Sequence, residues 1–201
     1  MLPLIVLAAG KSTRMAGRNK LLIKINGKPM IRKVVETALN SKVDEVIVVL
    51  GWDADRISEA LVGLPCRLIV NKDYEQGQSS SIKTGLRDVG NTAKAVLVLP
   101  GDLAKIDSHS IDLVVDEFNR RKAPIVVAAH NGRPGHPILL ARELFAEIQR
   151  IDEQTFGLKS VVKRHESEMF LVETSSENVL RDVDTPEDLN VLNISNLFKQ
   201  S

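Results

Sequence analysis

The sequence predicts an α/β fold with a mainly parallel central sheet, and three observations carry that expectation. Short apolar runs rich in β-branched residues recur at 3–7, 45–50, 67–70, 94–99 and 125–129, the pattern of strands buried on both faces. Stretches with apolar residues near period 3.6 separate several of them, which makes βαβ units with right-handed crossovers the economical connection. Polar and glycine-containing motifs fall at the ends of these runs, at 9–14, 77–81 and 101–102. In open parallel sheets, ligands bind outside the carboxyl ends of the strands.

Taken in order, residues 3–7 form the first strand and 23–26 a second extended piece. The turn Gly27-Lys28-Pro29 feeds a helix whose stripe is Met30, Val34, Val35, Ala38 and Leu39. Strand 45–50 is followed by a helical pattern over 54–61, strand 67–70 by a helix beginning at 80–86, and strand 94–99 by Pro100-Gly101-Asp102. An amphipathic helix spans 110–120, with Ile111, Val114, Val115 and Phe118 on one face, and strand 125–129 follows. Beyond it, Gly132 to Pro137 is expected to break any element, 140–149 to be helical, and 154–164 to be a polar helix or loop. Short strands are expected at 170–172 and 179–183, with a helix starting at Pro186 and running to Leu197.

A chain of 201 residues with 43% hydrophobic and 26% charged side chains has globular proportions and enough length for one sizeable core. The formal net charge of +1 gives no general attraction to nucleic acid or anionic membrane, and 3% aromatic residues supply no stacking platform for single strands. The lone Cys66, in an apolar run, reads as a structural thiol. The apolar start, residues 1–9, lacks a basic n-region and leads into a glycine turn, and no segment is long enough to span a bilayer; a cytoplasmic protein is expected.

The segment from Leu7 to Arg14 reads as a phosphate-handling loop. Small residues admit close approach of the backbone, Gly10 permits positive φ, successive N–H groups can form an anion-binding concavity, and Lys11, Arg14 and Lys20 supply charge. A P-loop is excluded because Ile5 stands where its first glycine is needed, and no Gly-x-Gly-x-x-Gly follows the strand. Asp102, after a Pro-Gly turn, is placed either to hold a hard divalent cation beside phosphates or to cap a turn. Asp182 and Asp184 share a strand face if the strand persists and could approach Asp102, while Asp184 or Thr185 could equally cap the helix at Pro186. In Gly77-Gln78-Ser79-Ser80-Ser81, one Ser would suffice as a cap; the Gln and remaining hydroxyls suit a base or ribose. His136, between Gly135 and Pro137, has no role that the residues alone assign.

Leu7-Ala8-Ala9-Gly10 followed by Ser12, Arg14-Met15 and Lys20-Leu21-Leu22 resembles the signature of the sugar-nucleotidyltransferase-like superfamily, and within it that of the molybdenum cofactor cytidylyltransferases. Gly77-Gln78-Ser79-Ser80-Ser81, Gly135-His136-Pro137 and Asp182-Val183-Asp184-Thr185-Pro186-Glu187-Asp188 are similar to motifs of the same family. The resemblance implies a three-layer Rossmann-like nucleotidyltransferase fold in a single domain, 1–201, with a nucleotide-binding N-terminal half and an acceptor-binding C-terminal half. It implies magnesium-dependent transfer of CMP from CTP to the terminal phosphate of molybdopterin or molybdenum cofactor, with release of pyrophosphate. Arg14, Lys20 and Asp102 would be catalytic, and Leu7, Ala8, Ala9, Gly10, Lys11, Ser12, Gln78, Ser79, Ser80 and Gly101 would join them in binding nucleotide. Gly135, His136 and Pro137 would face the acceptor. Magnesium would sit on Asp102 with either Asp182 or Asp184.

Ala8-Ala9, where guanylyltransferase relatives carry glycine, favours CTP over GTP. Two departures from the family stand out: Ala104 replaces the proline of Gly-Asp-x-Pro, and Thr155-Phe156-Gly157-Leu158-Lys159 stands where the family has Gly-Ala-Arg. The implied partners are CTP or another NTP, a phosphorylated pterin and a recipient apo-molybdoenzyme, with no nucleic acid or membrane. The rivals are a relative of the same fold using GTP or a sugar phosphate or alcohol acceptor, and a non-catalytic cofactor-binding chaperone.

Overall fold

The computed structural model describes residues 1–13, 15, 18–183 and 188. Strand β1 (Pro3–Ala8) leads into the first loop, a 3-10 turn at Lys20–Leu22, and a small hairpin of β2 (Lys24–Ile25) and β3 (Lys28–Pro29). Helix α1 (Met30–Leu39), β4 (Glu45–Leu50), α2 (Ala54–Ala60) and β5 (Arg67–Val70) follow. Next come α3 (Gln78–Asp88), β6 (Ala95–Pro100), α4 (Ser108–Arg121) and β7 (Ile125–His130). The last elements are β8 (Arg133–Ala141), α5 (Phe145–Ile148), α6 (Leu158–Arg164) and β9 (Met169–Glu173).

Seven strands form one sheet in the order β5-β4-β1-β6-β8-β7-β9. β1 lies parallel between β4 and β6, and β9 is parallel to β7; only β8 runs antiparallel, pairing with both β6 and β7. The two-residue side-chain period distributes the strands between two apolar layers. Leu4, Val6 and Val48 pack with Ile31 and Val34 of α1, Ile57 of α2 and Ile111 and Val115 of α4. Ile5, Ile47 and Val49 pack on the opposite face with Ile82 and Leu86 of α3, Ile148 of α5 and Val161 of α6. The sheet is therefore the middle of three layers, and the ends of β1 and β6 open between them.

Three expectations for the second half are corrected. Gly132 to Pro137 does not break the chain: β8 runs through it, because Asn131 and Gly132, with φ of 52° and 72°, form a two-residue hairpin turn between His130 and Arg133. Helix does not begin at 140, since Leu140 and Ala141 are paired with Val96 and Ala95 of β6; a 3-10 turn at Arg142–Leu144 and the short α5 follow instead. Residues 179–183 form no strand. A 3-10 turn covers Glu177–Leu180 and the chain continues without regular structure to Val183. The alternating-face argument for Asp182 and Asp184 therefore has no strand to rest on, and Asp184, Thr185 and most of the helix expected from Pro186 lie outside the described residues. Cys66 is half-buried against the first core layer, and burial pushes its thiol pKa up. Among the described residues no helix is long and apolar enough to cross a membrane.

Gly135 fixes how β8 meets that 3-10 turn. A Cβ there would collide with the Val179 carbonyl oxygen, which is backbone and cannot swing aside. Gly135→Ala is expected to cost about 1–3 kcal/mol. The displaced turn leads directly into Asp182, so chemical denaturation and turnover should both register the change.

Candidate functional site

A cavity of about 450 Å³ opens where β1, β6 and the start of α3 converge. Leu7, Ala9, Gly10, Lys11, Ser12, Lys20, Gln78 and Asp102 line it, eight of the positions expected to touch nucleotide or carry catalysis. Ala8 and Gly101 are buried behind it, the latter donating its N–H to the Leu7 carbonyl at 2.9 Å. Arg14 lies outside the described residues. Thr13, Leu21, Gly77, Ser81 and Pro100 complete the lining from within the motifs read in the sequence, though no binding role was assigned to them, while Tyr74 and Glu75 carried no sequence signal.

The loop after β1 is held by Ser12 rather than by Gly10. Ser12 takes the positive φ of 52°, its carbonyl accepts from Met15 N–H at 2.9 Å, and its Oγ accepts from Lys20 N–H at 3.2 Å. Met15 is buried and anchors the far side of the turn. A Cβ at Gly10 would meet nothing, so this glycine leaves open space beside the cavity. Asn19 caps the next turn, its Oδ1 accepting from Leu21 N–H at 3.0 Å, which fixes where Lys20 starts.

Lys20 reaches across the cavity to Asp102, with Nζ 2.6 Å from Oδ2 and both side chains only about 15% exposed. Such a pair is shielded from solvent screening, unlike Lys11–Glu75 at 2.5 Å, whose partners are 45% and 65% exposed. The other Asp102 oxygen, Oδ1, is buried and has no hydrogen-bond partner among the described residues. A buried, unpartnered carboxylate oxygen is a donor suited to a hard divalent cation. Val183 N–H donates to the Asp102 carbonyl at 3.2 Å, so the segment carrying Asp182 is tied to the Asp102 loop across 81 positions of sequence.

The Gln-Ser-Ser-Ser motif divides its work. Gly77 turns with φ of 94° to start α3, and Gln78 and Ser81 face the cavity. Ser79 and Ser80 do not. The Ser80 hydroxyl donates within its own turn to the carbonyls of Asp73 and Gly77. It also accepts, as Ser81 does, from the buried Asn71 side chain. Ser79 N–H donates to Glu153 at 2.6 Å, and Ser79 Oγ lies beside Gly157, so this serine fastens the 152–157 loop to the helix start. Asn71 and Glu153 escaped the sequence reading because nothing local marks a residue whose partners are nine and 74 positions away.

A second cavity of about 630 Å³ adjoins the first and shares Gln78 with it. Gly135, His136 and Asp182 line it; Pro137 is buried in β8 and does not. Its walls include Ile82, Val98, Val127, Ile138 and Leu158, with Arg133, Lys159, Lys163 and Glu166 as the other charged members. Burial lowers the His136 pKa from 6.5 to about 4, against the opposing Asp182 charge and Val98 backbone. Because the folded value lies below the ordinary one, the unfolded chain takes the proton first, and His136 costs stability as pH falls from about 6.5 to about 4. His136→Asn is expected to reduce the stability lost between pH 7 and pH 4.5 by about 3 kcal/mol at most, measured by urea unfolding of both proteins at both pH values.

Residues 4–169 match the family described as the MobA-like NTP transferase domain. The chain is 27% identical over 186 residues to the molybdenum cofactor cytidylyltransferase of Escherichia coli (strain K12), covering 92% of this chain and 91% of that protein. It is 27% identical to a probable molybdenum cofactor guanylyltransferase of Natronomonas pharaonis and 25% identical to the nicotine blue oxidoreductase of Paenarthrobacter nicotinovorans, each over 92% of this chain and 93% of the relative. Of the bifunctional GlmU proteins it matches, it spans only 27–37% of the length. The crystal structure of the Rv0371c homologue from Mycobacterium sp. strain JC1 superposes with a TM-score of 0.83 at 27% identity, over 96% of both chains.

Proposed function

The chain belongs to the MobA-like NTP transferase family and is a nucleotidyltransferase, and on that footing we propose that it transfers CMP from CTP to the terminal phosphate of a molybdopterin-type cofactor. The observation that carries this reading is the pair of adjoining cavities joined at Gln78, with Lys20 and Asp102 in the first and Asp182 in the second. The first is lined by a cationic, backbone-rich loop suited to a triphosphate. The second is larger, mostly apolar and ringed by cations, suited to a phosphorylated ring system. Ala8-Ala9 supports CTP as donor, and the equal 27% identity to a cytidylyltransferase and a probable guanylyltransferase is neutral between the two nucleotides. In this reading the chain acts as a single cytoplasmic domain, its N-terminal half holding the donor and its C-terminal half the acceptor.

In the proposed reaction an oxygen of the acceptor phosphate attacks the α-phosphorus of CTP, a new P–O–P bond forms, and the bond to the β-phosphate breaks to release pyrophosphate. No general base is needed, because a phosphate monoester with its second pKa near about 6 is already an anion at neutral pH. The chain's contribution is positioning and charge. Lys20 neutralises phosphate oxygens, the N–H groups from Ala9 to Thr13 cradle the leaving pyrophosphate, and Gln78 and Ser81 orient the nucleoside. Magnesium would be held by Asp102, whose buried Oδ1 is otherwise unused, and by Asp182 or Asp184. Bound there, it would supply electrostatic stabilisation of the transferring phosphoryl group.

Thermal-shift measurements with the four NTPs and magnesium, followed by pyrophosphate release with molybdopterin, test the assignment. The largest stabilisation with CTP, and release dependent on both substrates, are expected. Preference for GTP would reassign the donor, release only with a sugar phosphate or alcohol would reassign the acceptor, and no release with any acceptor would favour a cofactor-binding chaperone that delivers to an apo-molybdoenzyme.

A further inference from the structure

The wall of the second cavity carries one polar atom that the fold leaves without a use. His136 Nδ1 is buried and has no hydrogen-bond partner among the described residues. In the neutral tautomer that carries its proton on Nε2, Nδ1 is a lone-pair acceptor. A buried acceptor without a donor is costly, and native folds rarely keep one that nothing meets. Its cavity neighbours include branched apolar side chains, Ile82, Val127 and Ile138 among them, and Lys159 and Lys163 stand one helical turn apart on α6.

We propose that His136 is a specificity residue for the acceptor: Nδ1 accepts a hydrogen bond from a ring N–H or amino group of a flat, anionic heterocycle whose faces lie on the apolar walls. A sugar hydroxyl could satisfy the nitrogen, but its other hydroxyls would then be buried against Ile82, Val127 and Ile138 without partners. The proposal rests on the second cavity being the acceptor site, and a pterin phosphate, with ring N–H and amino donors and one anionic group, has the required chemistry.

Binding of 6-hydroxymethylpterin phosphate to the full-length protein, read by quenching of pterin fluorescence without turnover, tests it. His136→Leu is expected to weaken binding by about tenfold or more. His136→Asn, whose Oδ1 can stand near the position of Nδ1, is expected to stay within about threefold of the wild type. CTP-induced thermal stabilisation should be the same in all three proteins, which shows that the variants fold; His136→Phe replaces the Leu variant if that one does not. Wild-type affinity in the Leu variant, an Asn variant no better than Leu, or no binding by the wild type would each overturn the proposal. If the probe binds as expected but CTP and molybdopterin release no pyrophosphate, the CMP-transfer reading falls and the recognition by His136 stands.

Discussion

Lys20→Met is expected to lower pyrophosphate release from CTP and molybdopterin by about two to three orders of magnitude, the scale of removing one well-placed electrostatic donor from a transition state. Lys20 is positioned from three directions: Asn19 caps its turn, Ser12 Oγ accepts from its backbone N–H, and its Nζ spans the cavity to Asp102 at 2.6 Å. A cation so placed costs little reorganisation at the moment of reaction. Methionine keeps the apolar stem and removes only the charge. The carboxylate it leaves behind is mostly buried, so a stability loss of about 1–3 kcal/mol is expected, which a chain of this size registers as a lower Tm without unfolding. Steady-state kinetics beside a melting curve separates the two effects. Turnover within threefold of the wild type in a folded Lys20→Met protein would remove Lys20 from the mechanism.

Asp102→Asn should have the larger effect, with turnover lost by about three orders of magnitude or more, since several kcal/mol of charge stabilisation are attributed to the ion that Asp102 would hold. The substitution is nearly isosteric, so the loop keeps its ties to Leu7 through Gly101 N–H and to Val183 through the Asp102 carbonyl. What changes is the buried Oδ1 and the charge opposite Lys20. The extra thermal stabilisation that magnesium adds to CTP in the wild type should therefore disappear in the variant, while stabilisation by CTP alone persists. A magnesium-dependent shift that survives Asp102→Asn would place the ion elsewhere.

The halves of the molecule differ in how far their sequence reveals them. From Pro3 to His130 each buried strand is a short apolar run and each long helix carries its own stripe, so local patterning and tertiary structure agree. Past His130 they part. Pro134, Gly135 and Pro137 read locally as a break, yet the Asn131-Gly132 turn and the pairing of Ile138 to Ala141 with β6 carry β8 through them. Leu140 to Gln149 has helix-forming residues, and partner strands claim the first two of them.

The α/β class, the alternation of strands and helices as far as His130, and the placing of the Leu7–Ser12 loop, Gln78 and Asp102 past strand ends were legible in the residues, because these follow from local hydrophobic period and from motifs that interrupt it. Three features emerge only from packing: Ser12 rather than Gly10 bends the loop, Ser79 and Ser80 serve the helix start while Ser81 faces the cavity, and Lys20 closes on Asp102. These outcomes depend on partners outside the local motif, Asn71 nine or ten positions away, Glu153 74 and Val183 81, and on burial that leaves individual atoms of Asp102 and His136 without a partner among the described residues. Neither long-range pairing nor the satisfaction of a single oxygen or nitrogen is written in local sequence; both exist only once the layers have packed.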